Sequence, residues 1–177
     1  ITGEPGTGKD VIAKYIHTSG PRSTKPFISI NCAAIQPTML ESELFGHEAG
    51  AFTSADRKKP GLMEVADGGV LFLNEISSMP LDIQAKLLTA IESQSFRRVG
   101  GTVLIKVDVQ VLAASNRNLK EMITKGDFRE DLYFRLKVVD LDMPPLRERI
   151  SDLPELIGYF IRHFNVGRSF RIDGKVP

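Results

Sequence analysis

One cysteine, Cys32, is all that the 177 residues contain, so no internal disulfide can form. A lone thiol suits a reducing, cytoplasmic compartment. Long apolar runs are missing too: none approaches the ~20 residues that a membrane-spanning helix needs, so no membrane partner is expected. Nor does the start of the chain carry the charged and apolar regions of a signal peptide. Net charge is nearly absent, at +1 from 23 basic and 22 acidic residues. That balance gives no general pull towards nucleic acid or anionic lipid. The three histidines, His17, His47 and His163, share no metal-ligand spacing with Cys32. Cys32 has no local base to activate it and reads as a small core residue.

What remains is ordinary for a soluble globular protein, with 42% hydrophobic and 25% charged residues. The length allows one domain with a sizeable core. The chain opens abruptly in a strand pattern, so the native amino terminus is expected upstream.

The first ten residues are the most informative. Gly3, Gly8 and Lys9 satisfy the G-x-x-x-x-G-K spacing of a phosphate-binding loop. Glycine lets backbone wrap closely around an anion while successive N–H groups point inward. The following helix turns its positive end to the same phosphates. Lys9 would reach the β- and γ-phosphates as a point charge. The candidate nucleotide-binding residues are therefore Gly3, Glu4, Pro5, Gly6, Thr7, Gly8, Lys9 and Asp10. Ile1-Thr2 suit a strand end, and Val11, Ile12, Tyr15 and Ile16 carry helical spacing. Asp10 stands where a Ser or Thr usually ligates Mg²⁺, and its carboxylate could meet the ion directly or through water. Taken alone, the same residues would also suit a Gly-rich turn capping an ordinary helix.

Apolar runs then alternate with helical patterns, which predicts an α/β domain with a mainly parallel sheet. Strands are expected over Phe27–Asn31, Val70–Leu73, Val109–Ser115 and Val138–Leu141, and a hairpin where Gly100-Gly101 separates Phe96–Val99 from Thr102–Val107. Helices are expected over Thr38–Phe45, Pro80–Glu92, Asn118–Lys125, Glu130–Leu136 and Asp152–Phe164. In the second of these, Ile83, Leu87, Leu88 and Ile91 share one face. Gly46–Pro60 shows neither period, and a stretch of about fifteen such residues inside a domain is more often functional than idle. Pro144-Pro145 break the chain.

A phosphate loop alone does not separate an ATPase from a kinase or a GTPase. Leu71-Phe72-Leu73-Asn74-Glu75 supplies a second element, a hydrophobic strand ending near an acid. Such an acid can orient and polarise an attacking water. Asn74 stands where an Asp is expected; its amide oxygen could hydrogen-bond a magnesium-bound water, but the missing charge should weaken the ion's hold.

The segment Glu43-Leu44-Phe45-Gly46-His47-Glu48-Ala49-Gly50-Ala51-Phe52-Thr53-Ser54-Ala55 resembles the signature of bacterial sigma-54-dependent transcription activators, in their central AAA+ ATPase domain. The resemblance runs from the phosphate loop to about Phe164. It implies a P-loop NTPase of AAA+ type, a mainly parallel sheet flanked by helices, with the small helical lid missing or truncated. Residues 1–165 would form the α/β ATPase subdomain, its first strand truncated, and 166–177 the start of a connection to the lid. ATP and Mg²⁺ are the implied cofactors, with Asp10 and Asn74 near the metal.

Residue by residue, the resemblance implies that Asn31 restrains the catalytic Glu75 and that Asn116 senses the γ-phosphate. Arg129 and Arg135 resemble arginine fingers, of which one would reach a neighbouring subunit's site while the other supports it. Gly50, Ala51, Phe52, Thr53, Ser54 and Ala55 resemble the loop that contacts the sigma factor, with Ser54 in place of a glycine. Arg57-Lys58-Lys59 reads as a solvated charge run, with the lining of a ring pore as the alternative. The implied partners are sigma-54 RNA polymerase holoenzyme and further copies of the chain in a hexameric or heptameric ring. DNA would be reached only through a domain outside these residues, where a receiver domain of two-component type would also lie. Two rival readings stay open. Asn74 could leave a nucleotide-gated assembly module with little hydrolysis, and Ser54 could mark a target other than sigma-54.

Overall fold

The computed structural model describes residues 1–53 and 55–164. Ser54 and the connection expected over 166–177 lie outside the described residues. In chain order the elements are β1 (Thr2–Gly3), α1 (Lys9–Ser19), β2 (Phe27–Asn31), α2 (Pro37–Phe45), β3 (Gly46–His47), β4 (Lys59–Pro60), α3 (Leu62–Val65), β5 (Val70–Asn74), α4 (Leu81–Ser93), β6 (Ser95–Phe96), β7 (Ile105–Lys106), β8 (Gln110–Ala113), α5 (Leu119–Lys125), α6 (Glu130–Leu136), β9 (Asp142–Met143) and α7 (Leu153–Phe164).

β5 pairs in parallel with β2 on one side and β8 on the other. β1 pairs in parallel with β9, and a parallel bridge from Thr2 to Ser115 joins the two sets. The strand order is therefore β2, β5, β8, β1, β9, all parallel. Four β5 residues, Val70, Leu71, Phe72 and Leu73, are at most 2% exposed, as expected of a parallel strand covered on both faces. Successive side chains alternate. Phe72 packs with Ala13 of α1 and stacks on Phe27. Leu71 and Leu73 join the larger core with Leu40 and Leu44 of α2 and Ile83 and Leu87 of α4. The result is a helix–sheet–helix sandwich.

Some expectations shift. On α1 the sheet-facing residue is Ala13, while Val11 and Tyr15 are 72% and 64% exposed. A small residue there lets the helix approach Phe72 closely, so the buried stripe is narrow. The strand expected over Val138–Leu141 forms just beyond that span, as β9 at Asp142–Met143. Its register is set by β1, with Thr2 N donating to Leu141 O at 2.8 Å. Val138 and Val139 stay exposed in the connection from α6, where Lys137 pairs with Asp140. The hairpin is shorter than expected, because Val99 bonds to the loop following α2 instead of continuing the β6–β7 ladder. Cys32 is core, 2% exposed; burial pushes its thiol up to about 12, so it stays protonated and unreactive.

The chain divides into two compact units after Met143. The second unit starts at Pro144-Pro145 and holds two short 3-10 turns and α7. On that helix Tyr159 stacks on His163 and Phe160 on Phe164.

One buried polar side chain ties the core to the functional edge. Gln84, fully buried on α4, donates to Met79 O at 2.8 Å and Asp127 O at 3.3 Å, and accepts from Arg129 N at 2.8 Å. It thereby fixes the turn before α6. Gln84→Leu fills similar volume but strands these backbone groups, so it should cost about 1–3 kcal/mol in denaturant unfolding. Leu88→Ala, at a half-buried position on the same helix, should leave the Arg129 turn intact.

Candidate nucleotide site and partner loop

All five parallel strands end on one edge, where ligands of open α/β sheets bind. β1 feeds the loop Gly3–Gly8 directly into α1. Gly8 is left-handed at φ 96° and caps α1, a conformation that an L side chain adopts at a cost. Its Cβ position faces open space, as does that of Gly6, so these glycines serve backbone conformation and leave the loop's concave side clear. Thr7 Oγ1 donates to Glu4 O at 2.8 Å and closes the loop on itself. Lys9 is 5% exposed and donates to Gly3 O at 3.0 Å and Glu4 O at 3.2 Å. The lysine thus rests on the carbonyls of its own loop, with its charge directed into the loop's interior. A cavity of about 490 Å³ opens beside this loop, lined by Gly3, Glu4, Asn116, Tyr133 and Leu136 among others.

Glu75 follows β5 and reaches back to this loop. Its Oε1 lies 3.8 Å from Lys9 Nζ, and its Oε2 accepts from Asn116 N at 3.3 Å. The structure therefore gathers Lys9, Glu75 and Asn116, three of the residues singled out from sequence. Glu75 also has φ 53° and ψ 48°, one of two non-glycine residues with positive φ among those described. A non-glycine residue in that region costs about 1–2 kcal/mol, and such strain gathers at functional sites. Asn31 sits opposite Asn74 in the β2–β5 register. Its side chain accepts from Ala33 N at 2.9 Å and caps the turn after β2, so in this state it is engaged locally and not with Glu75.

The metal expectation fares differently. The Asn74 NH₂ donates to both Asp10 oxygens, at 3.1 and 3.3 Å, while its amide oxygen accepts from Glu75 N at 3.0 Å. The oxygen expected to face a magnesium-bound water is thus turned to the Glu75 backbone, and N–H groups face Asp10 instead. A hard cation needs oxygen donors. Asp10 supplies one carboxylate, and Asn74 turns N–H donors, not its oxygen, towards it. The residues present do not fit the magnesium site that the sequence implied.

Arg129 is the residue capping the amino end of α6, and Arg135 lies exposed in its last turn. The two are thus set at opposite ends of a short helix. Arg129 makes a two-point contact with Asp131, at 3.0 and 2.6 Å. That bond raises the guanidinium's pKa and lowers the carboxyl's. Among the described residues, neither arginine lines the cavity beside the phosphate loop.

The loop expected to meet a partner is closed at its base by the antiparallel β3–β4 pair and, nearer the tip, by Gly50 N donating to Ala55 O at 2.8 Å. Ala55 is buried, Thr53 is exposed, and Phe52 is 41% exposed with its ring edge on His47, 4.9 Å between centroids. His47 is buried, and its Nδ1 lies 2.7 Å from Ser42 Oγ. Lys58 and Lys59 pair with Glu48 and Glu43 respectively.

Sequence reasoning missed Arg98, which joins this loop to the β6–β7 hairpin. Its guanidinium donates to Glu48 Oε1 at 2.7 Å, to Glu64 Oε1 at 2.8 Å and also to Glu64 Oε2. Glu64 is the stronger influence raising the Arg98 pKa, and the Arg98 bond is the main cause of the lowered Glu48 pKa. No spacing relates positions 48, 64 and 98, so only the fold reveals the cluster. Gly100 seals the contact. It is left-handed at φ 73°, and a Cβ there would meet Ala51 Cβ at 2.8 Å. Backbone bonds run alongside, Glu48 N to Val99 O at 3.1 Å and Val99 N to Gly46 O at 3.0 Å. Arg98→Ala should speed hydrogen exchange at the Glu48 and Val99 amides by about tenfold or more, the change that ~1.4 kcal/mol of local stability would give. Exchange in β5 should not change.

Residues 1–142 match the family described as Sigma-54 interaction domain. A Nif-specific regulatory protein of Bradyrhizobium diazoefficiens is 53% identical over 175 residues, which is 98% of this chain and 30% of that protein. Crystal structures of NtrX from Brucella abortus in complex with ADP and with ATP have TM-scores of 0.91 and 0.90 at 39% identity, covering 99% of this chain and 38% of theirs. The P-loop NTPase domain of a sigma-54 transport activator from E. coli, 19% identical with a TM-score of 0.52 over 82% of this chain and 81% of that one, shares the fold. The chain spans well under half the length of the regulatory protein and of NtrX. With a P-loop NTPase fold and a matched sigma-54 interaction domain, it belongs to the family of sigma-54-dependent transcription activators.

Proposed function

We propose that this chain is the ATP-driven domain of a sigma-54 activator, binding and hydrolysing ATP within a ring of copies, hexameric or heptameric, to remodel sigma-54 RNA polymerase and open promoters. The observation that carries the reading is the meeting of Lys9, Glu75 and Asn116 under a phosphate loop at the carboxyl edge of a parallel sheet. NtrX of the same fold has been crystallised with ADP and with ATP. Gly3, Glu4, Pro5, Gly6, Thr7, Gly8 and the start of α1 cradle the phosphates, and Lys9 leaves its loop carbonyls for the β- and γ-phosphates.

Glu75 then orients a water and takes its proton as the water oxygen bonds to the γ-phosphorus and the bond to the bridging oxygen breaks. Asn116 reads the γ-phosphate, and Asn31 restrains Glu75 between turnovers. Charge developing on the transferred group is met by Lys9 and, from a neighbouring copy, by Arg129 or Arg135. Arg129 must leave Asp131 to do so, which makes its cis pair a resting position. Gly50, Ala51, Phe52, Thr53, Ser54 and Ala55 carry the change to the polymerase, with Phe52 leaving His47 to contact it. DNA is reached through another domain, and the cytoplasm is the expected location. Among the described residues no helix is long and apolar enough to cross a membrane.

A second reading, a nucleotide-gated assembly module with little turnover, is favoured by the Asn74–Asp10 hydrogen bond. Turnover against concentration in the full-length protein separates the two. On the first reading, turnover per subunit rises with concentration, and Glu75→Gln lowers it by ~10²-fold or more while binding persists. Lys9→Ala and Arg129→Ala are each inactive, and mixing them restores part of the activity, because each supplies what the other lacks. ATP binding with wild-type turnover no higher than that of Lys9→Ala would leave the assembly module.

A further inference from the structure

If the Gly3–Lys9 loop holds nucleotide phosphate, the reading on which this inference rests, the neighbouring side chains determine what must accompany it. Asp10 is exposed in the first turn of α1, and Asn74 is the half-buried last residue of β5. Three contacts fix the Asn74 amide: NH₂ to Asp10 Oδ1 at 3.1 Å and Oδ2 at 3.3 Å, and the amide oxygen to Glu75 N at 3.0 Å. Exchanging the amide's nitrogen and oxygen would set two donors together at 3.0 Å and acceptors together at 3.1 and 3.3 Å. The orientation is therefore determined by its partners.

Where two carboxylates would face each other across this gap, their like charges would repel, and a cation or a shared proton between them would relieve the repulsion. A carboxylate and an amide require none, because the amide's own N–H groups neutralise part of the Asp10 charge. Those N–H groups also occupy the side of Asp10 that a cation bridging to residue 74 would use, and they repel it. We infer that the Asp10–Asn74 hydrogen bond replaces a divalent cation as the link between α1 and β5, so that this chain takes a nucleoside triphosphate without relying on magnesium. The positive groups left to hold phosphate are the loop amides, the start of α1 and Lys9. Residue 74 is then a specificity-determining position that sets the form of nucleotide accepted.

The test uses the full-length protein and its Asn74→Asp variant, each in EDTA and in millimolar MgCl₂. Melting is first measured without nucleotide. The wild type should melt at the same temperature in both buffers, whereas Asn74→Asp should melt lower in EDTA and recover with magnesium. Affinity for a fluorescent ATP analogue is then measured in both buffers. Magnesium should change the wild-type affinity by less than about 3-fold and tighten that of Asn74→Asp by about 10-fold or more, the range over which outer-shell ligands alter metal affinity. A wild-type protein that melts higher with magnesium, or gains tenfold or more in affinity from it, overturns the inference, and this comparison needs no variant. If neither protein binds the analogue, the nucleotide reading fails, while the melting comparison still decides the cation inference.

Discussion

The structure hangs on the double ladder of β5. Its backbone is paired on both sides, from Val70 to Asn74 against β2 and from Val70 to Leu73 against β8. Its side chains enter a core on each face. Fully burying one such Leu or Phe contributes about 1.5–3 kcal/mol, so the strand cannot slide without losing several contributions at once. The consequence lies at its end. Asn74 and Glu75 emerge where the apolar run stops, Asn31 is held opposite by the β2 register, and β8 delivers Ser115 and Asn116 alongside. Ser115 bridges in turn to β1, which places the phosphate loop one strand away. A run of four apolar residues thus determines where the charged ones meet.

A second constraint joins the partner loop to the hairpin after α4. Charge alone would be weak here, since exposed ion pairs contribute little. Arg98 is different because its side chain is 12% exposed and uses three nitrogens on two carboxylates. Planar guanidinium geometry makes the contact directional, which a lysine would not. Gly100 against Ala51 and the Gly46–Val99–Glu48 backbone bonds add steric and hydrogen-bond registration. The two segments therefore form one cross-braced unit at its base, with Phe52 projecting from it.

Local periodicity made much of the fold legible. β2 and α6 lie where the apolar patterns place them, and Asn118 and Gly126 cap α5 as a start and stop signal should. The phosphate loop was legible for the same reason, since its chemistry depends on consecutive residues. What escaped depended on distant partners. β9 formed late because β1, more than a hundred residues away, sets its register. The hairpin lost most of its ladder because Val99 found bonds in the loop after α2. Arg98, Glu48 and Glu64 are neighbours only once β3, α3 and β6 are packed. The Asn74 amide is the sharpest case. Its type was legible and its consequence weighed, but which end faced Asp10 depended on the Glu75 N–H.

That N–H explains why an asparagine can stand here at all. Glu75 occupies a left-handed conformation that a side chain adopts only when held. The Asn74 oxygen holds it, by accepting from its backbone nitrogen at 3.0 Å. An aspartate oxygen would accept that bond equally well, so the pose of the catalytic candidate is indifferent to the choice between the two residues. The other half of the side chain is not indifferent. Where aspartate would present a second acceptor to Asp10, asparagine presents a donor. The substitution thus separates two duties that one carboxylate would combine, keeping the geometry of Glu75 while reversing the electrostatics between β5 and α1. A change of this kind leaves fold, loop and strained glutamate in place and acts only on what bridges them.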